Sequence, residues 1–403
     1  MLTAVLQYDV DLNITTGLAL GVEIHLSYRT SMLNGTQADS LLQNFTNVLL
    51  AITTSSDQLL SNLNMAYPGI STLPEMSPER TPTAVEATVL ELIAKHAEQH
   101  PMSVAMQSTD GQVKLTYHEL DRMTSALACD LQGLAVQPGD TVLLSFSRSP
   151  WALVAMLAVL KAGATSLFLD PLASSDSRQE TFSAVQASVV LCGREHATDF
   201  DEPSLTPVIV DAGAMAVWDD ASPVFAPPNC LSPDTVAVAI QDGADWALLT
   251  HRTVSTVASL LGLVAGLGAD ARVLQFSAAT SPLYIVETLY SLINGSTIIV
   301  PAEGASFSEA MCSSQANWAI TTPTEAALTY PAQVPSLQTL LVAEGEISPA
   351  LLAKWCDIRL IHPHELIQSP IWLSLSGSPA GSVALQLLPA SNIGRMWIRC
   401  PFN

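Results

Sequence analysis

The ten residues before His251 lead into a predicted helix, whose start is a place where proteins can bind phosphate, but their side chains are unsuited to that task. Such loops use glycines, hydroxyls and a lysine, so that backbone N–H groups and positive charge face the anion. This stretch has one glycine, Gly243, one hydroxyl, Thr250, and no lysine or arginine, and it adds Asp242 and Asp245. Two unit charges 4 Å apart repel by about 1 kcal/mol in water and about 4 kcal/mol near a protein surface. The sequence therefore predicts a shortened turn between a strand and a helix, which repels a triphosphate.

A second group of polar residues, near residue 362, has side chains that bind metals in other proteins. His362, His364 and Glu365 lie close in sequence, but no third ligand group accompanies them. We therefore interpret them as a surface turn and predict no metal site. The cysteines are far apart and contain no CxxC pair, so we expect reduced, mostly buried thiols of a cytoplasmic protein. The six are Cys129, Cys192, Cys230, Cys312, Cys356 and Cys400.

Composition excludes several classes of partner. The chain has 403 residues, of which 49% are hydrophobic and 13% charged, so a sizeable core is expected and general disorder is not. A net charge of −22 argues against nucleic acid and anionic membranes as partners. The N-terminus lacks the basic region of a signal peptide. The most apolar stretch, Val254–Leu267, is shorter than the roughly 20 residues of a membrane span, so a buried helix is expected there.

The elements that must position these residues begin after a short N-terminal segment. Leu18–Tyr28 alternates as a strand does, and Asp39–Ile52 has helical spacing of its apolar residues. A strand and a helix are too little to enclose a core. Prolines punctuate the next stretch, which predicts an extended linker. The expected organisation is residues 1–66, a linker at 67–86, and a larger domain at 87–403.

Beyond the linker, strand-like and helix-like segments alternate, which favours parallel sheets with helices on their faces. The predicted strands are Thr141–Phe146, Ser188–Cys192, Val208–Val210, Val236–Ile240, Thr297–Val300 and Thr339–Val342. The predicted helices are Ala87–His100, Trp151–Ala162, Val254–Leu267, Tyr284–Ile293 and Pro349–Trp355.

Several segments, in order and at near-family spacing, resemble the adenylation domain of nonribosomal peptide synthetases. They are Leu115-Thr-Tyr-His-Glu-Leu120, Leu160-Lys-Ala-Gly163, Leu169-Asp-Pro171, Val273-Leu-Gln-Phe276, Asn294-Gly-Ser-Thr-Ile-Ile-Val-Pro301, Pro335–Val342 with Glu344-Gly-Glu346, and Ile358-Arg-Leu-Ile361. The resemblance implies an α/β fold: the large N-terminal subdomain of an adenylate-forming enzyme, with mixed, mainly parallel sheets flanked by helices. The strand at Leu26-Ser-Tyr-Arg29 and the helix after it resemble the end of a condensation domain, without that domain's HHxxxDG motif.

The resemblance implies an ancestral activity and its cofactors. Members of the family use ATP and Mg²⁺ to convert an amino or aryl acid to an acyl adenylate, which passes to a carrier-protein thiol during assembly of peptide natural products. By resemblance, His251, Gly345 and Glu346 occupy nucleotide-binding positions. Another synthetase subunit or a carrier protein is the implied partner.

Two positions of the implied substrate pocket depart from the family pattern. The aspartate that pairs with a substrate ammonium is replaced by Pro282, which leaves such an ammonium unpaired. The magnesium carboxylate is replaced by Gln368, a poor ligand for a hard dication. Families that activate aryl or keto acids also lack the aspartate, so Pro282 alone indicates only a different substrate class.

The last residues, Asn392–Asn403, resemble the segment before the family's ribose-binding aspartate. That aspartate, the small C-terminal subdomain with its catalytic lysine and the carrier domain with its phosphopantetheine serine all lie beyond this point in the family. We therefore predict no catalytic residue, no bound cofactor and no activity for the chain alone. A binding or scaffolding module, and a ligase completed by a C-terminal subdomain in trans, are the alternatives.

Overall fold

The computed structural model describes residues 10–16, 22–28, 84–200, 203, 205–214, 231–242, 245–343, 348–355, 357–363, 372–376, 383–386 and 397–399. The chain divides into two compact units, one formed mainly by residues before 82 and the other by residues 82–400. The expected boundaries at residues 66 and 86 remain predictions.

The first unit contains an antiparallel pair of strands, β1 (Val10–Thr16) and β2 (Val22–Tyr28). Val10 lies opposite Tyr28 and Thr16 opposite Val22. The predicted strand is thus present over its last seven residues. The strand β1 alternates apolar and polar residues in the same way, although it was not among the predicted strands. The predicted helix at Asp39–Ile52 lies outside the described residues.

The second unit alternates strands and helices along the chain. Its strands are β3 (Val104–Ser108), β4 (Lys114–Thr116), β5 (Thr141–Ser145), β6 (Thr165–Phe168), β7 (Val189–Cys192), β8 (Thr206–Ile209), β9 (Val236–Asp242), β10 (Asp245–Thr250), β11 (Arg272–Leu274), β12 (Thr297–Val300), β13 (Trp318–Thr321), β14 (Thr339–Val342), β15 (Arg359–Pro363), β16 (Trp372–Ser376), β17 (Val383–Gln386) and β18 (Trp397–Arg399). Its α-helices are α1 (Val89–Gln99), α2 (Tyr117–Gly133), α3 (Pro150–Lys161), α4 (Ser175–Val185), α5 (His251–Ala265), α6 (Pro282–Ile285), α7 (Ser291–Ile293), α8 (Phe307–Ser314), α9 (Pro323–Leu328) and α10 (Pro349–Lys354).

Two mixed sheets organise this unit. The smaller has the order β10-β9-β6-β5-β7-β8, in which only the β9–β10 pair is antiparallel. The larger has the order β18-β17-β16-β15-β14-β13-β11-β12-β3-β4, parallel in its centre and antiparallel towards both edges. The predicted fold class, α/β with mixed, mainly parallel sheets flanked by helices, is confirmed.

The motif at Leu160–Gly163 forms the end of a deeply buried helix. Residues 152–160 of α3 are all buried, as expected of a helix that is apolar on every side. Lys161 donates hydrogen bonds to the Asp121 carbonyl and carboxylate, both at 2.7 Å, and therefore anchors α3 to α2. Gly163 then turns the chain with a φ of 81°, a conformation that favours glycine.

The motif at Leu115–Leu120 begins α2. Thr116 and Glu119 form a capping box, in which each side chain accepts a hydrogen bond from the other residue's backbone N–H. Tyr117 is buried, and its hydroxyl donates to the carbonyl of Ser296 at 2.9 Å. This motif therefore fixes the start of a helix and joins it to the turn before β12.

Most predicted elements are present with ends shifted by one to three residues. The predicted strand at Val208–Val210 is wrong at its start, because β8 pairs with β7 from Thr206 onward. The predicted single helix at Tyr284–Ile293 is also wrong in detail. The helical run begins earlier, at Pro282, and a π-helical segment, Val286–Tyr290, separates α6 from α7. Within the described part of the chain, no helix is long and apolar enough to cross a membrane.

Candidate functional site

The stretch before His251 forms a β-hairpin. Strands β9 and β10 are antiparallel, and their paired ends are Asp242 and Asp245, which lie directly opposite each other. Only residues 243 and 244 separate these ends in sequence. The Thr250 hydroxyl then accepts a hydrogen bond from the Thr253 N–H at 3.2 Å and caps α5. The chain thus passes from β9 to α5 through a strand pair.

His251 is the first residue of α5, and its side chain faces the protein interior. It is only 1% exposed, and its Nδ1 accepts a hydrogen bond from the Val89 N–H at 3.4 Å. Burial lowers the pKa of His251 to about 4, so the ring is neutral near pH 7. Because Val89 begins α1, this imidazole satisfies one of the N–H groups that a helix leaves unpaired at its start.

Pro282 begins α6, where its missing N–H costs nothing and its fixed φ suits the helix. The preceding Ser281 caps the helix by accepting a hydrogen bond from the Leu283 N–H at 3.2 Å. Gly345, Glu346 and Gln368 lie outside the described residues. The structure therefore places two of the five predicted site residues, each at the start of a different helix, and the nucleotide and substrate roles of all five remain predictions.

A cavity of about 510 Å³ lies between strands β6 and β9, helix α4 and the segment that precedes α6. This volume is within the range of small-molecule sites. The sequence alone did not reveal it, since its walls come from four separate parts of the chain. It is lined by Phe168, Leu169, Asp170, Ala173, Ser177, Arg178, Thr181, Val238, Ala239, Ile240, Ala279, Thr280, Ser281 and Ile285.

The lining combines apolar side chains with polar and charged groups. Asp170 accepts a hydrogen bond from the Leu172 N–H at 2.9 Å, which orients its carboxylate. The guanidinium carbon of Arg178 lies 5.8 Å from the ring centroid of Phe200. Asp170 is exposed and Arg178 half-buried, whereas Thr181 is buried. The cavity therefore offers one positive group, one negative group and several hydroxyls to a ligand.

A buried carboxylate holds the start of the segment that lines the cavity. Glu287, in the π-helical turn, is fully buried and accepts hydrogen bonds from the Phe276 N–H at 3.1 Å and the Ser277 N–H at 2.9 Å. The Ser277 hydroxyl donates a further bond at 2.8 Å. Burial raises the pKa of Glu287 to about 7, despite these donors. The side chain thereby fixes the turn that leads to residues 279–281.

Arg148 contacts the same turn from the other side. Its Nη2 donates to the Phe276 carbonyl at 2.8 Å, and its guanidinium carbon lies 4.3 Å from the Phe276 ring centroid. Burial lowers the pKa of Arg148, while the nearby charge of Glu287 acts in the opposite direction. Sequence reasoning assigned neither Arg148 nor Glu287 a role in the site.

The polar group near residue 362 is described only at its first member. His362 lies in β15 opposite Ser374 of β16, so the interpretation as a surface turn is wrong for this residue. His364 and Glu365 lie outside the described residues. Over the part of the chain that the structure describes, no three His, Cys, Asp or Glu side chains are grouped so as to hold a metal ion.

The comparisons with known proteins agree on one family. Residues 93–240 match the AMP-binding enzyme family. Nonribosomal peptide synthetase atnA of Emericella nidulans is 30% identical over 377 residues, which is 91% of this chain and 5% of that protein. A nonribosomal peptide synthetase of Pyrenophora dematioidea is 28% identical over 402 residues, which is 94% of this chain and 29% of that protein. The chain therefore spans less than a third of these relatives.

Solved structures show the same fold. The synthetase FmoA3 bound to α-methyl-L-serine-AMP has a TM-score of 0.68 and 16% identity, covering 94% of this chain and 45% of that one. The N-terminal subdomain of Klebsiella oxytoca NpsA, bound to 3-hydroxybenzoyl-AMSN, has a TM-score of 0.63 and 19% identity, covering 75% and 79%. The chain thus belongs to the AMP-binding enzymes, as an adenylation-domain fragment of the nonribosomal peptide synthetase type.

Proposed function

We propose that this chain keeps the adenylation scaffold of a secondary-metabolite synthetase but does not itself form acyl adenylates. The observation that supports this most is the β9–β10 hairpin, which stands where the family places its phosphate-binding loop. The family activates acids with ATP and Mg²⁺, so loss of the triphosphate contacts removes the first step of that reaction.

The residues of the hairpin do not fit magnesium-bound ATP. Residues 241–250 contain no lysine or arginine. In a paired ladder, many backbone N–H groups are already used between the strands and are not free for phosphate oxygens. The directly opposed Asp242 and Asp245 add like charges, each of which repels a phosphate. We therefore derive no catalytic step through ATP for this chain.

Calorimetric titration of the purified chain with magnesium-ATP tests this proposal. We expect no heat of binding from the wild type, and none from the double variant Asp242→Asn, Asp245→Asn, because strand pairing persists when the charges are removed. Micromolar binding by the wild type, about −8 kcal/mol, would overturn the proposal. Binding by the double variant alone would show that charge, and not the hairpin, excludes ATP.

The cavity supports a second candidate function, binding of a small molecule without reaction. Arg178 and Asp170 provide opposite charges at the cavity, and many of the other lining residues are apolar. This combination suits an amino acid or an aryl acid, the class of substrate that the family activates. Saturating ligand at 100 times its Kd would stabilise the fold by about 2.7 kcal/mol, which thermal unfolding detects.

The variant Ala279→Trp places a large ring in the cavity wall and is expected to abolish any such thermal shift. Leu263→Trp is the matched control, because Leu263 is 84% exposed on α5, away from the cavity lining. A shift that persists in Ala279→Trp would place the ligand elsewhere. No shift with any amino or aryl acid in the wild type would remove this candidate function.

The relatives are long multidomain synthetases, and this supports another synthetase subunit or a carrier protein as partner. Co-purification of the tagged chain with one synthetase, and recovery of the chain when that synthetase is tagged, is the expected result. Adding such a partner is not expected to produce acid-dependent pyrophosphate exchange. Exchange on mixing would instead favour a ligase completed in trans.

A further inference from the structure

Three side chains that are not part of the cavity lining form a series of polar contacts. The Ser147 Oγ lies 2.9 Å from His196 Nε2, and His196 Nδ1 lies 3.4 Å from Asp199 Oδ2. The His196 side chain is 13% exposed and that of Asp199 is 36% exposed. Ser147 is half-buried, so part of the residue is open to solvent. This is the order of groups, hydroxyl to imidazole to carboxylate, that activates a serine nucleophile.

Ser147 and His196 lie at the end of the smaller sheet, at a place where open α/β sheets commonly bind ligands. Strands β5 and β7 are adjacent and parallel. After β5 the chain passes through α3 to β6 on one side, whereas after β7 it passes to β8 on the other. Ser147 follows β5 and His196 follows β7. Because the two connections diverge, a crevice is expected at the carboxyl ends of these strands, and the two residues lie there.

We propose that Ser147 is a nucleophile that hydrolyses carboxylic esters, with His196 as its general base. With the imidazole proton on Nδ1 facing Asp199, Nε2 is free to accept the Ser147 proton. The Ser147 Oγ forms a bond to the ester carbonyl carbon, and His196 returns the proton to the departing alkoxide, which leaves as an alcohol. Water then attacks the acyl-serine through the same base, releases the carboxylic acid and restores the serine.

The negative charge around Ser147 and His196 favours an uncharged ester as the substrate. Glu195 Oε1 lies 3.8 Å from His196 Nε2, and Asp199 lies on the other ring nitrogen. The nearby Arg194 is paired with Asp211 at 2.7 Å. Two carboxylates beside the imidazole stabilise the imidazolium that forms as the serine loses its proton, and they repel an anionic substrate. The reaction needs no ATP, so it is independent of the function proposed above.

Labelling with a fluorophosphonate and hydrolysis of p-nitrophenyl acetate by the full chain test the proposal. We expect a covalent adduct on Ser147, located by mass spectrometry, and a burst of p-nitrophenol. Ser147→Ala should lose the adduct and lower the rate by about 10²-fold or more. Ser183→Ala is the matched control, because Ser183 is an exposed serine of α4 whose hydroxyl bonds only within its helix. It should retain both properties.

Variants of the other two residues separate catalysis from a structural role. His196→Ala should lose activity and regain part of it with added imidazole, which replaces a base but cannot restore a structural contact. Asp199→Asn should lower the rate more than Glu195→Gln, since Asp199 faces Nδ1. A folded wild type with no adduct at Ser147, or an adduct and a burst that persist in Ser147→Ala, would overturn the proposal.

Discussion

Two buried ionisable groups, His251 and Glu287, should give opposite pH dependences of stability that nearly cancel. Burial lowers the pKa of His251 from 6.5 to about 4. The unfolded chain therefore binds more protons between these values, and this group's stabilisation is present above pH 6.5 and lost as pH falls. Burial raises the pKa of Glu287 from 4.5 to about 7. Its stabilisation is present below pH 4.5 and is lost as pH rises through 7.

The size of each effect follows from linkage. One unit of pKa difference corresponds to about 1.4 kcal/mol, and only the part of each titration between pH 5 and pH 7 counts. Across that window the free energy of unfolding rises by about 2 kcal/mol from His251 and falls by about 2 kcal/mol from Glu287. Carboxyl groups with a lowered pKa, such as that of Glu119, titrate below this window. The wild type should therefore show little pH dependence here.

Single variants should reveal the two slopes. His251→Asn keeps an acceptor near the Val89 N–H but does not titrate, so its stability should fall by about 2 kcal/mol from pH 5 to pH 7. Glu287→Gln keeps an acceptor oxygen for the turn at Phe276, and its stability should rise by a similar amount. Urea unfolding, followed by the fluorescence of the buried Trp318 and other tryptophans at several pH values, measures both.

The signs of the pH slopes in His251→Asn and Glu287→Gln test whether the two pKa values are shifted in opposite directions. Equal slopes in the two variants would refute the assignment of opposite pKa shifts. A steep slope in the wild type that survives in both variants would show that other groups dominate between pH 5 and pH 7. The double variant provides the control, because it should again be nearly flat if the two groups act independently.

Further predictions concern the family-like motifs. Gly163→Ala should destabilise the fold by about 1–2 kcal/mol, because φ is 81° at that position. Gly133→Ala is the control and should be neutral or stabilising, because a Cβ added there has no atom within contact distance. Thermal unfolding of the two variants measures the difference. Lys161→Met should lower stability by about 1 kcal/mol, since it removes the hydrogen bonds to the Asp121 carbonyl and carboxylate; an unchanged urea midpoint would contradict this. Thr116→Ala should cost about 1 kcal/mol through loss of the α2 cap, and Thr116→Ser should recover most of that in the same assay.

The sequence allowed the fold to be predicted where local patterns agree with tertiary contacts. Runs of apolar residues predicted the helix at Trp151–Ala162 and the strands near Thr297 and Thr339. All three elements are present in the structure. The apolar spacing did not predict the π-helical segment, nor did it predict that the buried Glu287 within this segment accepts a hydrogen bond from the Ser277 N–H. Periodicity reports which face is buried, and it does not report what a buried polar group bonds to.

The candidate sites were harder to predict, for a topological reason. The cavity is built by four separate segments, and the contact of Ser147 with His196 joins residues 49 positions apart in sequence. Neither leaves a short-range pattern. For the segment before His251, the predicted shortened turn between a strand and a helix is wrong, because residues 245–250 form the strand β10. The residue types alone show only that the segment lacks lysine and contains two aspartates. Composition thus predicts that the segment repels a triphosphate, which remains to be tested, and the fold adds its strand pairing.

The segments that resemble the family and the positions that depart from it have different physical roles. The motifs at Leu115–Leu120 and Leu160–Gly163 cap helices, fill the core and turn the chain, so their side chains stabilise the scaffold whatever ligand it holds. His251 likewise satisfies the start of α1 from the interior. The departures at Asp242, Asp245 and Pro282 fall at positions that, by the resemblance, we predict to correspond to the family's contacts with ATP or the acid. A fold of this kind can therefore persist on packing alone, and any function must be argued from the cavity and the polar clusters that this chain itself contains.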